Sequence, residues 1–401
     1  MTDQSPAVAP AIRGRRLLIF QNGDYGAAFR RLRDGGEETY RDQRRSVEFV
    51  ARLSHEMPVV VVAMCDRPHR EELAPGLTSI GIPPGAGHDP AKILPLLDEI
   101  APEVLICRSP NRFVLGWARR RGLPVLPVFA DIFANDGLRQ AWRNLRLRAQ
   151  LGGAGTVCVA NHSLNASRSV GRALLYPAGR IVPWDWSRLP TEPDPKSAPD
   201  GPWRAFFAGA ISDAKGVGDC LEAVALLKAR GLWLGFDLAG GRDLAPWQAR
   251  AARLGIDDRV RFLGMLPHAE VRARMRAADL VVVPSRHDYA EGLPNTIYEA
   301  LASRSPLVIS DHPAFAGRLR DGADCLVFRA ASPDALADRV AHLMQSPDLY
   351  RALSEQSAAA HERLYIGLEW LDLVSTFLRD PGNETGWVAR NALARLTGRG
   401  R

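Results

Sequence analysis

Short apolar runs alternate with helical patterns along most of the chain, and this alternation constrains the fold more than any other sequence feature. The runs are three to six residues long, and the stretches between them carry the spacing of amphipathic helices. Strands that alternate with helices build parallel, doubly wound sheets. In the first half the predicted strands are Leu17–Phe20, Val59–Met64, Val104–Cys107, Val125–Phe129 and Val157–Val159, with helices at Arg45–Leu53 and Ala91–Ile100.

The pattern stops at a proline-rich break and then repeats. Residues 190–202 hold five prolines in thirteen positions, which excludes a helix or a central strand and predicts an interdomain linker. We therefore expect α/β domains at residues 14–189 and 203–366, with a ligand site at the carboxyl ends of the strands. Beyond the break the predicted strands are Ala205–Ala208, Phe236–Ala239, Val260–Phe262, Leu280–Val283, Leu307–Ser310 and Leu326–Phe328, and the helices are Gly218–Ala229, His268–Ala277, Pro294–Ala302 and one that begins at Pro333.

The positive charge of the chain lies mostly in its first half. Residues 1–200 hold 27 basic and 21 acidic residues, a balance of +6, and the remaining residues hold 25 and 24, a balance of +1. Such an excess indicates an anionic partner. No zinc-finger, basic-zipper or aromatic RNA-binding pattern accompanies it, so we expect no nucleic-acid partner and consider an anionic membrane surface the better candidate.

Metal binding, disulfides and secretion are not expected. Five cysteines are scattered without a C-x-x-C spacing, and no Asp-x-Asp pair occurs. The first arginines are followed by a four-residue strand pattern and not by the core of a signal peptide. The apolar runs are too short to cross a bilayer. These features predict a cytoplasmic protein, with peripheral attachment to the inner face of a membrane as a further expectation.

The segment from Val281 to Leu301, VVVPSRHDYAEGLPNTIYEAL, is the most informative for function. A helix is predicted to begin at Pro294, because proline suits the first helical turn. The free amides of that turn and the positive end of the helix dipole favour a phosphate. Glu291 and Glu299 flank this site, and carboxylates accept hydrogen bonds from sugar hydroxyls. The combination indicates a bound nucleotide-sugar.

The same segment resembles the E-x7-E signature of retaining glycosyltransferases of family 4, the glycosyl transferases group 1. The resemblance implies the GT-B fold, in which two doubly wound Rossmann-like domains face each other across a cleft. It also implies a late helix that crosses back onto the first domain, for which Gly367–Leu378 is the candidate, in a final segment 367–401 that ends in a basic tail. The pairs that carry the resemblance are Pro284-Ser285, Glu291-Gly292 and Glu299-Ala300.

What the resemblance implies for activity is transfer of a hexose-type sugar, with retention, from a nucleotide-diphosphate donor to a glycan, glycolipid or other acceptor hydroxyl. It implies no cofactor and no metal. Glu299 would hold the ribose hydroxyls, Glu291 would hold the donor sugar as a catalytic residue, and the helix start would bind the distal phosphate. The residues of this start are Gly292, Leu293, Pro294, Asn295 and Thr296.

Two further segments of the second half resemble donor-binding parts of the family. Phe207–Gly216 resembles F-x-G-R…K-G, in which Gly209 lets the diphosphate approach and Lys215 neutralises it as a second catalytic residue. Ala210 replaces the family's arginine, and Arg286 is a candidate substitute for that cation. The other segment, 261–267, resembles the one whose backbone pairs with the nucleobase, which gives Gly264 and Met265 a donor-binding role.

The first half departs further from the family pattern. The loop after the first strand contains Gly23 and Gly26, which are candidates for contact with the donor phosphate or the acceptor, although a plain turn explains them as well. Asp131 ends a strand where the family has His-Asp, with Ala130 in place of the histidine. We expect Asp131 in a catalytic position, with a helix cap or an ordinary loop residue as the alternative.

The stretch from Leu138 to Arg148 combines apolar residues on one helical stripe with arginines beside it. Such a helix can lie on anionic lipid. The alternative is a solvated helix whose apolar stripe packs on its own domain. Two other functions remain open for the whole chain: a sugar-nucleotide epimerase of GT-B architecture, and a catalytically inactive binding protein, which the replaced arginine would suit.

Overall fold

The chain divides into two compact units in a computed structural model that describes residues 8–241 and 243–398. Unit 1 contains the described residues as far as Glu38, then 42–187, and those from Ile366 onward. Unit 2 contains 39–41 and 188–365. The proline-rich segment 190–202, expected as a linker, belongs to unit 2, where it has no helix or strand. Hydrogen bonds from the amides of Glu192 to Ala302 (2.8 Å) and of Lys196 to Ser354 (2.7 Å) hold it there.

Unit 1 is built on an eight-stranded sheet with the order β3-β4-β2-β1-β5-β6-β7-β8. All neighbouring pairs are parallel except β3 with β4, so β3 is an antiparallel edge strand. Both faces are covered: Leu17 and Ile19 belong to one core cluster, and Leu18 and Phe20 to another. The strands are β1 (Leu17–Asn22), β2 (Val59–Met64), β3 (His69–Ala74), β4 (Leu77–Ile82), β5 (Val104–Cys107), β6 (Val125–Phe129), β7 (Val159–His162) and β8 (Ile181–Trp184).

Unit 2 is built on a six-stranded parallel sheet with the order β11-β10-β9-β12-β13-β14. Counted within the unit, this is the order 3-2-1-4-5-6 of a doubly wound nucleotide-binding fold. The strands are β9 (Trp203–Ala208), β10 (Leu234–Ala239), β11 (Val260–Gly264), β12 (Leu280–Val283), β13 (Leu307–Ser310) and β14 (Leu326–Phe328).

Helices connect most of the successive parallel strands in both units; β13 and β14 are joined by a long loop instead. No described helix is both long and apolar enough to cross a membrane. The helices are α1 (Tyr25–Arg33), α2 (Gln43–Leu53), α3 (Pro84–Gly87), α4 (Pro90–Ile100), α5 (Arg112–Arg120), α6 (Gly137–Gln150), α7 (Leu164–Ala173), α8 (Val217–Ala229), α9 (Ala245–Arg253), α10 (His268–Ala277), α11 (Asn295–Ala302), α12 (Pro333–Met344), α13 (Pro347–Leu364), α14 (Trp370–Arg379), α15 (Trp387–Asn391) and α16 (Leu393–Thr397).

The predicted strands were found, with three differences. The hairpin of β3 and β4 and the strand β8 were not predicted. The strand expected at Val157–Val159 instead begins at Val159 and includes the polar Asn161, whose side-chain amide donates to the backbone oxygens of Asp131 and Ala166 (both 3.1 Å). Those two bonds satisfy the side-chain nitrogen of a residue that the apolar pattern alone would place outside a buried strand, whereas its buried Oδ1 has no hydrogen-bond partner among the described residues.

The late helix expected at Gly367–Leu378 is α14, and it packs into the core of unit 1. Trp370, Leu373 and Phe377 are buried in the same cluster as Leu17 and Ile19. The backbone amide of Trp370 donates to the carbonyl of Asp185 (2.9 Å), next to the end of β8. The chain therefore returns to the first unit after it has completed the second.

Candidate functional site

The candidate site of unit 2 lies at the point where its strand order reverses. Strands β9 and β12 are neighbours in the sheet, and their carboxyl ends are Ala208 and Val283. In open parallel sheets, ligands bind in the crevice outside such a switch point. The loops that follow these two strands contain most of the residues that the sequence predicts to bind the donor.

The loop after β9 is held tightly against the loop after β12. Gly216 has a φ of +75°, and a Cβ at this position would lie 2.2 Å from the carbonyl oxygen of Pro284. Only glycine fits both the backbone conformation and the close approach. At the start of the same loop, the amide of Gly209 donates to the carbonyl of Ala239 (3.0 Å). These contacts fix the position of Lys215, the residue just before Gly216.

Lys215 and Glu291 form an ion pair at the centre of the site, between Nζ and Oε2. The two side chains are 12% and 11% exposed, so water screens the pair little. Ser285 Oγ donates a second hydrogen bond to the same carboxylate oxygen (2.9 Å). The ammonium also lies 4.7 Å from the centre of the Tyr289 ring. The sequence placed both residues at the donor, and the structure brings them into direct contact.

Helix α11 begins four residues after Glu291, and no side chain caps its first turn. Pro294 has an extended backbone (ψ 138°) and is the cap residue, so the helix begins at Asn295, one residue later than predicted. No side chain caps the helix, so the first amides have no intrahelical partner. Thr296 Oγ1 donates to the carbonyl of Ala208 (3.1 Å), which ties the helix start to the end of β9. The buried Oδ1 of Asn295 has no hydrogen-bond partner among the described residues.

Gly292 and Leu293 lead into this helix start and are both buried. They connect Glu291 directly to Pro294, so the carboxylate and the uncapped amides lie at adjacent points of one short backbone segment. The predicted phosphate-binding residues therefore form one continuous structural feature.

Glu299 is buried one turn further along α11 and is held by a histidine that the sequence analysis missed. His268, the first residue of α10, lies with Nε2 2.8 Å from Glu299 Oε1. The side chains of the two are 9% and 6% exposed. The two residues are 31 positions apart, so no local sequence pattern predicts that they pair. A histidine at the start of a helix that follows the predicted nucleobase segment was the available clue.

The predicted nucleobase segment lies just before α10. Gly264 has a φ of +69°, and its carbonyl accepts a hydrogen bond from the amide of Gly240 (2.7 Å). Met265 follows with 64% of its surface exposed. An exposed methionine beside a strand end offers an adaptable apolar surface for a ring.

His312 is a second buried histidine near the site that the sequence analysis missed. Its Nδ1 accepts from the amide of Ala314 (3.1 Å), so Nε2 carries the proton and donates to the carbonyl of Tyr289 (3.1 Å). Burial lowers the pKa of His312 below its usual 6.5, and the nearby Lys215 and His287 act in the same direction. The hydrogen bond to the Tyr289 carbonyl supports the loop that holds the Tyr289 ring against the Lys215 ammonium.

Arg286, the candidate substitute for the arginine replaced by Ala210, is bound to a carboxylate of its own unit. Its guanidinium makes two hydrogen bonds to the carboxylate of Asp219, at 2.9 and 2.5 Å. Asp219 is buried, and this bidentate pair fixes the arginine to the first turn of α8. Ala210 itself is exposed. Among the described residues, Lys215 is therefore the cation that the structure places at the carboxylate of Glu291.

The candidates of unit 1 lie at the carboxyl ends of its strands. Gly23 is exposed in the loop after β1 with a φ of +86°. Gly26, expected in that loop, is instead the second residue of α1, and a Cβ there would lie 2.7 Å from Glu71 Oε1. Its glycine identity is explained by packing of α1 on β3. Asp131 is exposed after β6, and its backbone oxygen accepts from Asn161.

The same region contains a group of side chains that was not expected. Ligand atoms of Asp24, Cys65 and His69 all lie within 4.8 Å of one another. His69 is already bonded through Nδ1 to the carbonyl of Arg67 (3.1 Å) and through Nε2 to Ser79 Oγ (2.9 Å). Burial raises the pKa of the Cys65 thiol, which disfavours the thiolate that a metal would bind.

Comparisons with known proteins agree with the fold. Residues 190–360 match the family model for glycosyl transferases group 1. An alpha-D-kanosaminyltransferase of Streptomyces kanamyceticus is 31% identical over 154 residues, which are 38% of this chain and 39% of that protein. The chain thus matches about two fifths of the length of this curated relative.

Two solved structures resemble the chain over nearly its whole length. The sucrose-phosphate synthase of Thermosynechococcus elongatus has a TM-score of 0.64 at 16% identity, covering 96% of this chain and 100% of its own. The Anabaena protein HepE, solved in complex with UDP-glucose, has a TM-score of 0.61 at 15% identity, covering 93% and 99%. These likenesses, with the two doubly wound sheets, confirm the predicted GT-B fold.

Proposed function

We propose that this chain, whose residues 190–360 match the family model for glycosyl transferases group 1, transfers a hexose-type sugar from a nucleotide-diphosphate donor to an acceptor hydroxyl. The observation that carries the proposal is the arrangement at the switch point of unit 2. There the uncapped start of α11 lies between the buried carboxylates of Glu291 and Glu299, with Lys215 bonded to the first of them.

The donor would bind with its diphosphate at the start of α11. The free amides of that turn and the positive end of the helix dipole favour the distal phosphate. The buried Oδ1 of Asn295 is available to accept a hydrogen bond from a ligand hydroxyl. The complex of the Anabaena protein with UDP-glucose supports a nucleotide-sugar as the donor class.

Glu299 would hold the ribose hydroxyls of the donor. Its bond to His268 leaves the second carboxylate oxygen for the two hydroxyls and holds the side chain in one orientation. The nucleobase would then lie over Gly264 and Met265, on the loop that precedes His268. Glu291 would accept hydrogen bonds from the hydroxyls of the transferred sugar.

Lys215 would stabilise the negative charge that develops as the donor breaks. The bond between the sugar's anomeric carbon and the diphosphate oxygen breaks, and its electron pair leaves with the diphosphate. The acceptor oxygen attacks the anomeric carbon from the same face, and its proton passes to the leaving phosphate oxygen. A preorganised cation and helix amides lower the barrier by binding this charge more tightly in the transition state. We therefore infer retention of configuration and turnover without a metal ion.

The acceptor is proposed only by class, as a hydroxyl of a glycan or glycolipid. Asp131 and Gly23 lie exposed at the carboxyl ends of strands in unit 1 and are the proposed acceptor-side residues. A second candidate function is a GT-B protein that binds the donor without turnover. The absent cation at Ala210 and the engagement of Arg286 by Asp219 favour it.

The deciding experiment is a thermal-shift screen of nucleotide-sugars, followed by a turnover assay with the best binder. A ligand that binds only the native protein at 100 times its Kd stabilises it by about 2.7 kcal/mol. We expect stabilisation of the wild type and its loss in Glu299→Gln. Glu355→Gln, an exposed glutamate of α13, is the matched control.

The outcomes separate the candidates. Binding with release of free nucleoside diphosphate supports the transferase. Binding without turnover in the presence of glycan and lipid acceptors supports the inactive binder. Epimerised donor as the product supports the epimerase, and no stabilisation by any nucleotide-sugar contradicts all three.

A further inference from the structure

Helix α6 of unit 1 presents an apolar stripe to solvent. Leu138 is 91% exposed, Trp142 is 57% exposed and Leu145 is 55% exposed. The spacing of four and three residues places the three side chains on one side of the helix. The buried side of α6 carries Asn144 and Leu147, which lie on the opposite side. The stripe therefore does not pack on its own unit, which contradicts the second alternative left by the sequence, a stripe packed on its own domain.

Arginines border this stripe on one side. Arg139, Arg143 and Arg146 each follow a stripe residue by one position and are exposed. The guanidinium carbon of Arg146 lies 5.3 Å from the centre of the Trp142 ring, which joins the basic border to the stripe. Within residues 8–241 and 243–398, no carboxylate pairs with any of these three guanidinium groups.

A cavity of about 350 Å³ opens beside the stripe, between α4, α5 and α6. Its wall carries the guanidinium-bearing residues Arg112, Arg120 and Arg146, together with apolar surface from Leu94 and Phe113. Arg112 stacks over the Phe113 ring at 4.4 Å. Within the described part of the chain, none of the three arginines has a carboxylate partner. A cavity of this size with three uncompensated cations is suited to a phosphate group.

The surrounding sequence is strongly basic. Residues 101–180 hold twelve arginines and three acidic residues, a balance of +9, although the whole chain carries +7. The remaining residues together are therefore slightly acidic. The positive charge is concentrated on the part of unit 1 that contains the stripe and the cavity.

We propose that α6 and the adjacent cavity form a docking surface for a bilayer that contains anionic phospholipid. The stripe inserts at the boundary between headgroups and acyl chains, and a headgroup phosphate binds the guanidinium groups of Arg112, Arg120 and Arg146. The helix has 14 residues and is about 21 Å long, so it contacts several lipids when it lies flat on the surface.

A bilayer fits this surface better than a nucleic acid does. Phosphates of either partner would satisfy the arginines, and Trp142 could stack on a base. Leu138 and Leu145 distinguish the two partners. A bilayer has an apolar interior in which the two leucines can be buried, and a nucleic acid has none. The proposal concerns unit 1 and does not rest on the donor site of unit 2.

The test is cosedimentation of the full chain with phosphatidylcholine vesicles, with and without phosphatidylglycerol, at low and high salt. We expect binding only to the anionic vesicles and release at high salt. Leu138→Ser/Trp142→Ser/Leu145→Ser should abolish binding, and these exposed positions leave the fold intact. Wild-type protein that ignores anionic vesicles, or that prefers an oligonucleotide over them, overturns the proposal.

Pairs of arginine substitutions test the cavity. A basic residue near an anionic surface contributes about fivefold to binding, so Arg112→Gln/Arg146→Gln should weaken it by about 25-fold or more. Arg253→Gln/Arg351→Gln removes the same charge from exposed positions of unit 2 and should change little. Arg139→Gln/Arg143→Gln removes the same charge from positions beside the stripe but outside the cavity. If this pair weakens vesicle binding as much as the cavity pair does, a specific headgroup site is refuted.

A donor-binding measurement accompanies each variant. Thermal stabilisation by UDP should be the same in all of them, because the substitutions lie in unit 1 or on the exposed surface of unit 2. Loss of vesicle binding with unchanged stabilisation therefore supports the docking surface, and absence of vesicle binding in the wild type leaves the proposed transferase function unaffected.

Discussion

Replacing Lys215 by methionine should destabilise unit 2 through the carboxylate it leaves behind. The substitution removes the charge and keeps a side chain of similar length. Glu291 then retains the 2.9 Å hydrogen bond from Ser285 but loses its cation. Removing one partner of a buried pair costs about 3–5 kcal/mol. Since both side chains are about a tenth exposed, we expect the lower end, about 3 kcal/mol.

This loss is large enough to measure by calorimetry. For a unit of this size, 1 kcal/mol shifts the Tm by about 2–4 °C, so the transition of unit 2 should move down by about 6–12 °C. Adding Glu291→Gln to Lys215→Met removes the uncompensated charge. The double variant should recover about 2 kcal/mol of the loss, giving a strong coupling between the two positions.

Donor binding should respond differently from stability. The double variant is expected to be about 1 kcal/mol less stable than the wild type. It should gain no stabilisation from the nucleotide-sugar that binds the wild type best, because it lacks both the cation and the carboxylate. A Lys215→Met loss below about 1 kcal/mol would refute the picture of a poorly screened pair. A double variant no more stable than the single one would show that the penalty comes from packing and not from charge.

Four further outcomes are expected. Glu299→Ala should weaken donor binding by about 10- to 100-fold in calorimetry, since a charge-assisted hydrogen bond contributes about 1.5–3 kcal/mol. His268→Ala should weaken donor binding less than Glu299→Ala does. Normal turnover by Glu299→Ala would contradict the proposed donor site. Because burial lowers the pKa of His312 below 6.5, the unfolded chain binds more protons there, so stability should fall as pH decreases through about 6.5, and His312→Gln should flatten that slope in urea titrations. Turnover should survive EDTA; loss that magnesium or manganese restores would count against metal-independent chemistry. Gly216→Ala should cost more than about 1 kcal/mol, because its Cβ meets a backbone oxygen at 2.2 Å and its φ is +75°, whereas Gly179→Ala has open space and should change little.

The sequence predicted the strands of this protein well because most of them are buried on both faces. Val59–Met64, Leu280–Val283 and Leu307–Ser310 have the predicted bounds, since a short continuous apolar run suits a strand that is covered on both faces. β3 was missed because it is an edge strand in which half-buried polar residues such as His69 and Glu71 alternate with exposed ones such as Arg70 and Glu72. Its strand partner, β4, contains a glycine and mixes polar with apolar residues.

The candidate site was predicted residue by residue but not as a set of contacts. The local pattern from Glu291 to Glu299 indicated where a ligand would bind, and the structure places those residues at the strand-order reversal. The pairing of Glu299 with His268 joins two helices, and that of Arg286 with Asp219 joins a loop to a third helix. A pattern in one segment contains no information about partners in another. The exposure of Trp142 likewise depended on which side of α6 the rest of the unit covers.

The return of the chain to unit 1 has a consequence for the order of folding during synthesis. Trp370, Phe377 and Val388 complete the core around Leu17, yet they are made about 200 residues after β8 leaves the ribosome. At the usual elongation rate of about 5–20 residues per second, that interval is about 10–40 s. Unit 2 is nearly continuous in sequence and can complete its core first, so the newly made unit 1 would be the part most dependent on chaperones.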